Sequence, residues 1–327
     1  MTDPPKPVHI LSGFLGTGKT TLLNNLLKRD DFYGTLVIAN EFGAVPLDHH
    51  LIQSSSETIV ELSNGCLCCS IRGELVDTLL SLDTSCFDRI IIETTGIADP
   101  LPIHQAITAQ PVLANGLMAG SIITVFDSVR GPNLIQDHPE AKRQLALADL
   151  VYLSMLDDGG NQTAARKAIS IVAPYALIVT AQDYPGSNML DGAIPKTKQI
   201  HSSGHSGEFS SLVLESSASQ SVITLVGFLH YLGGVCGPSL LRVKGFANSD
   251  EHTEGPVLLQ MSGPIVHDPV KLENWPDGIP RTQLTVIGKD IDLALIQSAF
   301  NGFFGIAGID TPDRDALIDN PLSIPGV

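Results

Sequence analysis

The stretch that most constrains this chain is Gly13-Phe14-Leu15-Gly16-Thr17-Gly18-Lys19-Thr20. Its spacing, G-x-x-x-x-G-K-S/T, is that of a loop wrapped around phosphate groups. Glycine permits the tight turns that aim successive backbone N–H groups at phosphate oxygens. In such a loop Lys19 reaches the β- and γ-phosphates, and the Thr20 hydroxyl joins a Mg2+ shell. Gly13, Gly16, Thr17, Gly18, Lys19, Thr20 and Thr21 are therefore the expected nucleotide-binding set. Eight residues alone recur by chance, so the flanks decide. Val8 to Ser12 is a short strand-like run, and Leu22, Leu23, Leu26 and Leu27 repeat at helical spacing after the glycines. Lys28 and Arg29 follow where cations favour a helix C-terminus. Strand, glycine loop, helix is the context the motif requires; a plain glycine turn before a helix is the reading it displaces.

Beyond that loop, apolar runs alternate with helical patterns. The runs are 35–39, 58–62, 89–93, 121–126, 150–153 and 176–180, and amphipathic stretches occupy 71–82 and 139–148. This rhythm predicts a doubly wound, mostly parallel sheet with helices on both faces. Ile90-Ile91-Ile92 reads as a strand buried on both sides. Residues 181–209 change texture to Pro, Gly, Ser and His, which is linker chemistry. From 210 to 310 a second α/β pattern follows, with strands near 211–214, 240–246, 257–261 and 283–287 and a helix over 222–232. A last helix is expected to bury Ile291, Leu295, Ile296, Ala299, Phe300 and Phe303 on one face. The expected organisation is a nucleotide-loop domain over 7–180, a linker over 181–209, a smaller mixed-sheet domain over 210–310 and a tail over 311–327.

Composition narrows the partners. With 35 acidic and 19 basic residues the formal charge is −16, a field that repels nucleic acid and anionic membranes. The start of the chain lacks a basic-then-apolar signal, and no apolar run is expected to approach the length of a membrane span. Three of five cysteines fall between Cys66 and Cys69, unlike a secreted disulfide framework, so a reducing cytoplasm is the expected setting. The isolated Cys86 and Cys236 read as small core residues.

Three further stretches carry chemistry. Asn40-Glu41-Phe42-Gly43 follows the 35–39 strand, where a loop can sense the γ-phosphate and Mg2+ through Glu41; a solvated strand-end turn is the rival reading. Glu93-Thr94-Thr95-Gly96 closes the 89–93 strand: the Glu93 carboxylate suits Mg2+ and the Gly96 N–H suits the γ-phosphate, against a helix cap as the alternative. Gly65-Cys66-Leu67-Cys68-Cys69 is the most unusual. In extended backbone Cys66 and Cys68 point the same way, and two thiolates on one side grip an ion such as Zn2+, with a turn bringing in Cys69. Inert packed thiols and a redox centre are the competing readings. His49, His50, His201 and His205 are candidate helpers to such a site or plain loop histidines.

Taken together, residues 13–21, 40–43, 61–69 (Glu-Leu-Ser-Asn-Gly-Cys-Leu-Cys-Cys) and 93–100 (Glu-Thr-Thr-Gly-Ile-Ala-Asp-Pro) resemble the CobW-like family of P-loop GTPases, metal chaperones related to the urease and hydrogenase maturation GTPases. The second block is similar to that family's C-terminal domain through Leu241-Arg242-Val243-Lys244-Gly245-Phe246, Trp275 and the run from Arg281 to Asp292. The resemblance extends over about 7–304 and implies a P-loop NTPase fold, GTP with Mg2+, and slow hydrolysis served by Lys19, Glu93 and Gly96. It also implies Zn2+ or Co2+ carried on Cys66, Cys68 and Cys69 toward a client metalloprotein. One departure stands out. Where the family reads guanine with Asn-Lys-x-Asp, this chain has Ser154-Met155-Leu156-Asp157. Asp157 keeps the carboxylate that accepts from guanine's N1–H and 2-amino group, Ser154 loses amide donors, and Met155 replaces a lysine whose methylene stem lies over the base, a ring that a thioether can cover similarly. A zinc store or sensor with a degraded nucleotide site, and an ATP-using P-loop enzyme, are the rival functions.

Overall fold

The computed structural model describes residues 5–39, 59–61, 70–109, 116–157, 159–173, 176–182, 205–206, 209–275 and 278–305. Its first half is built on β1 (Lys6–Ser12), β2 (Thr35–Ala39), β3 (Ile59–Glu61), β4 (Arg89–Glu93), β5 (Leu117–Asp127), β6 (Leu150–Ser154) and β7 (Leu177–Val179). They lie in the order β3-β2-β4-β1-β5-β6-β7, every neighbouring pair parallel. The helices are α1 (Lys19–Leu27), α2 (Ser70–Ser81), α3 (Leu101–Thr108), α4 (Gly131–Asp137), α5 (Pro139–Ala146) and α6 (Gln162–Val172). Successive strand residues feed two separate cores. Ile90 and Ile92 pack with Leu75, Ile107, Leu145 and Ile169, whereas Ile91 packs with Leu22, Leu23, Leu26 and Phe32. Alternation across a pleat that is apolar on both sides is what a doubly wound sheet needs. The strand expected at 121–126 begins at Leu117: the exposed Met118 and small Ala119 pair with Pro7 and Val8 of β1, and Gly120 sits where the register shifts, so the stretch lacks the buried apolar run that marks the rest of β5.

The second half comprises β8 (His205–Ser206), β9 (Phe209–Ser216), α7 (Val222–Cys236), β10 (Leu240–Ser249), β11 (His252–Ser262), β12 (Ile265–Val266), β13 (Val270–Lys271), β14 (Thr282–Lys289) and α8 (Leu293–Phe303). The order is β12-β11-β10-β14-β9-β8, with β13 on β11. Every pair of named strands is antiparallel, where a mixed sheet was expected. A physical reason is visible between β10 and β11: only Asp250 and Glu251 connect them, too few for the crossover that a parallel pair requires. On this sheet α7 buries Leu225, Phe228, Leu229 and Leu232, and α8 buries Ile296 and Phe300. Phe228 meets Phe300 edge-on at 5.5 Å, and Phe300 stacks on Phe304 at 4.0 Å. Leu295, expected on the inner face of α8, is exposed instead.

Two expectations from composition are corrected. The 18-residue window Val222–Ser239 is long and apolar enough to cross a membrane by length and composition, although no such run was expected. Its four leucine and phenylalanine anchors lie in the core of the second sheet. Cys86 is exposed at the end of a short 3-10 turn and is not a core residue, whereas Cys236 is half-buried and packs against the core of the second half.

The halves meet through apolar residues, with Phe209, Leu241 and Ile287 joining the first half's core, and through polar groups. Arg242 and Lys244 of β10 both pair with Asp149, and Arg242 also donates to the Leu147 carbonyl at 2.8 Å. Nearby, the Ser262 hydroxyl lies between His104 Nδ1 (2.8 Å) and His267 Nε2 (3.0 Å), donating to one ring and accepting from the other.

Candidate functional site

Local geometry explains the phosphate loop. Leaving β1, the chain turns through Gly13 (φ 143°), Gly16 (φ 71°) and Gly18 (φ 93°), conformations that side chains disfavour. A Cβ on Gly13 would also lie 2.6 Å from the Val125 carbonyl oxygen of β5. Gly18 caps α1, so the loop runs straight into a helix N-terminus, the end of a helix that favours anions. Thr17 Oγ1 donates to the Phe14 carbonyl at 2.9 Å, closing the turn internally. Lys19 Nζ donates to the carbonyls of Gly13 (2.8 Å) and Phe14 (3.2 Å) and is folded over the loop. Burial lowers its pKa, and the charge of Glu93 pulls the other way. Thr21 is exposed on the first turn of α1.

The Glu93 loop closes onto this one. Thr20 Oγ1 donates to Glu93 Oε1 at 2.6 Å, bringing together two side chains 73 residues apart. Gly96 packs so tightly that a Cβ there would lie 2.5 Å from Leu15 Cδ2 and 2.8 Å from its Cα. Behind the loop, buried Gln144 of α5 donates Nε2 to the carbonyls of Gly96 (3.1 Å) and Ala98 (2.9 Å), and Arg143 pairs with Asp99 at 2.6 Å. Phe14 stacks on His138 at 4.6 Å between α4 and α5.

A third wall comes from the ends of β5 and β6, which pair Asp127 with Ser154. Ser154 Oγ donates to the Thr17 carbonyl at 2.7 Å, so its hydroxyl braces the phosphate loop. Met155 adopts φ 57°, and its Cε lies 3.7 Å from where a Cβ on Gly18 would be. Asp157 is exposed beyond it. Asp127 binds the guanidinium Nε of Arg130 at 2.7 Å, and Arg130 Nη2 donates to the Gly16 carbonyl at 2.8 Å. Burial would raise the Asp127 pKa, but hydrogen bonds from Arg130 and Val129 and the guanidinium charge outweigh it, so the carboxyl titrates lower than usual.

Gly13, Gly16, Thr17, Gly18, Lys19, Thr20, Glu93 and Gly96 thus converge; Asp157 is exposed two residues after Met155. Glu41, Cys66, Cys68 and Cys69 lie outside the described residues, as do His49, His50 and His201. Of His205 only the backbone is described. What is described places their strand ends: β2 stops at Ala39 and β3 at Glu61, Ala39 pairing with both Glu61 and Glu93. Among the described residues no three His, Cys, Asp or Glu side chains gather as a metal site. Asp127, Arg130 and Gln144 were missed from sequence. Asp127 and Arg130 had a signal, an acid and a base three apart just past the C-terminal end of an apolar strand, where α/β sheets place their ligands. Gln144 had none, being one more polar residue in an amphipathic stretch.

Comparison with known proteins agrees with this geometry. Residues 7–174 match the family described as CobW/HypB/UreG, nucleotide-binding domain, and residues 209–304 match the cobalamin synthesis protein cobW C-terminal domain. The zinc chaperone YjiA of Escherichia coli (strain K12) is 36% identical over 182 residues, which span 54% of this chain and 57% of YjiA, little more than half of that relative. The zinc chaperone CobW of Sinorhizobium sp is 28% identical over 344 residues, covering 90% of this chain and 96% of the relative. The crystal structure of a Zn(II)-bound triple mutant of the YjiA GTPase aligns with a TM-score of 0.68 at 26% identity, over 91% of this chain and 99% of that one. The chain belongs to the CobW/HypB/UreG family of nucleotide-binding domains and carries the family's cobW C-terminal domain.

Proposed function

We propose that this chain is a metal-handling GTPase, binding and slowly hydrolysing GTP to govern the loading of Zn2+ and its release to a client metalloprotein. The observation that carries the reading is the 2.6 Å bond from Thr20 to Glu93, which locks the phosphate loop to the end of β4. Hydroxyl and carboxylate oxygens meeting at one point form a donor set that suits Mg2+, and Glu41 is the further carboxylate expected there. Lys19 neutralises the β- and γ-phosphates, the Gly96 N–H meets the γ-phosphate, and Asp157 accepts from the edge of guanine. Cys66, Cys68 and Cys69 are the thiolates that take the cargo ion; Co2+ suits the same ligands.

Coupling follows from the strand pairing. The cysteine loop leaves β3 at Glu61, beside Ala39; Glu93 lies on the other side of Ala39, and the Glu41 loop leaves from Ala39 itself, between the two. Loops that the γ-phosphate orders, and hydrolysis releases, are the established repertoire of such switches. The relatives named zinc chaperones favour Zn2+ as the ion. Linkage makes the proposal testable: GTP with Mg2+ must tighten Zn2+ by the same factor that Zn2+ tightens GTP. Zn2+ titrations with and without Mg2+-GTP should show that shift, and should lose it when Cys66, Cys68 and Cys69 are replaced by Ser. Equal Zn2+ affinity in all four titrations would sink the reading. Competition of GTP, ATP and XTP for the site separates it from an ATP-using enzyme.

A further inference from the structure

The loop after β6 offers no cation: Ser154, Met155, Leu156 and Asp157 stand where the family carries a lysine. The structure supplies one from the neighbouring strand. Asp127 and Ser154 pair at the C-terminal ends of β5 and β6, and three residues past Asp127 the Arg130 side chain turns back to the phosphate loop. The Asp127 side chain is 2% exposed and fixed by the N–H groups of Val129 (2.8 Å) and Arg130 (3.0 Å). From that anchor the guanidinium is held at Nε, and its Nη2 reaches the Gly16 carbonyl at 2.8 Å. Glycine at position 16 makes room, since a Cβ would lie 3.2 Å from that nitrogen. The next carbonyl, Thr17, accepts the Ser154 hydroxyl at 2.7 Å.

Two consecutive peptide planes of the phosphate loop are therefore held by their oxygens, one from each loop. Pinning both oxygens fixes the two planes before any ligand arrives: the Thr17 N–H stays on the Phe14 carbonyl at 3.3 Å, and the Gly18 N–H is held at the N-terminal cap of α1, the end that suits a phosphate. We propose that Arg130 is a positioning residue of the nucleotide site, standing in for the cation absent at 155 and acting with Ser154 to pre-set the phosphate loop. The departure at 154–157 is then a relocation of the bracing groups and not a decay of the site. The proposal rests on the nucleotide-binding reading above. Met155 shows that a side chain from position 155 reaches the loop, its Cε lying near Gly18, and lysine is one atom longer.

The test is a titration of the full chain with a fluorescent GDP analogue in Mg2+ buffer. Arg130→Ala should weaken binding about tenfold or more, the scale of one lost charge-assisted hydrogen bond. Arg130→Lys should retain part of the affinity. Adding Met155→Lys to Arg130→Ala should restore most of it, by bringing an ammonium to the same carbonyls from the other loop. Thermal melts of each variant show whether it is folded. Wild-type affinity in Arg130→Ala overturns the proposal, and so does a loss that neither lysine recovers, because a merely structural arginine would behave that way. A wild-type chain that binds no nucleotide, or a Lys19→Ala variant that binds as well as wild type, overturns the nucleotide reading and this proposal together. Failure at Arg130 alone leaves that reading in place.

Discussion

Gly96 is the residue at which the two phosphate-side loops are in contact. Leu15 occupies the space that a side chain would need, with backbone as near as 2.8 Å to an added Cβ, and that distance cannot be relieved by turning a rotamer. Alanine at this position must push the Glu93 loop or the phosphate loop aside. Because Thr20 and Glu93 are joined across the same gap, a shift of one loop misplaces the proposed Mg2+ oxygens as well. Displacements near 1 Å cost about a hundredfold in rate in positioned sites. Gly96→Ala is accordingly expected to lower kcat for GTP by about that factor, while overpacking destabilises the fold by only about 1–3 kcal/mol. Steady-state turnover beside a thermal melt checks it; a variant with near-wild-type kcat would mean that the loops do not meet during turnover.

At the scale of elements, α5 is the support behind the Glu93 loop. Gln144 is buried and holds two loop carbonyls, Gly96 and Ala98, while Arg143 holds Asp99 from the same helix. Gln144→Leu keeps the volume and removes both donors, leaving two carbonyls unanswered at a cost of about 1–3 kcal/mol each where they stay dry. The expected outcome is a slower enzyme with raised KM for GTP and faster amide exchange at 94–99, which hydrogen-exchange mass spectrometry reads directly. Unchanged exchange there would remove α5 from the mechanism. This support also marks where sequence reading stops. The apolar runs at 35–39 and 89–93 announced β2 and β4 with correct ends, because a strand buried on both faces is an unbroken apolar run inside, bounded by polar residues such as Thr35, Arg89 and Glu93. The glycine loop announced its own neighbours, since its conformation demands a strand before and a helix after. By contrast, Gln144 meets Gly96 across 48 residues and Arg130 meets Gly16 across 114, and no local spacing encodes such contacts. Ser154 was readable as a loss only, because its bond to the Thr17 carbonyl depends on how β6 is placed against the phosphate loop.

On the scale of the molecule, the two sheets are joined by buried ionisable groups, and that makes their union sensitive to acid. Burial would raise the Asp149 pKa, but the charges of Arg242 and Lys244 override it and hold the carboxyl well below the usual range. On the same interface burial and the Arg242 charge bring His267 down to about 4, and burial, reinforced by His267 and Arg242, takes His104 well below the ordinary histidine value. Both histidines are therefore neutral in the folded chain, which fits a single Ser262 hydroxyl shared between them. A histidine with a depressed folded pKa contributes fully above its unfolded value of about 6.5, because there neither state binds a proton. As pH falls below that value the unfolded chain protonates first, so stability declines, for His267 until about pH 4. Asp149 has the same sign in a lower window: its contribution is present above about pH 4 and is lost only in stronger acid. Thermal melts from pH 7.5 to 4.5 should therefore show a falling Tm dominated by the histidines, with a loss on the order of 2 kcal/mol for His267. His104→Asn combined with His267→Asn should flatten that slope while leaving the collapse below pH 4, where the Asp149 cluster titrates. A double variant that keeps the full slope between pH 6.5 and 4.5 would place the acid sensitivity elsewhere in the chain.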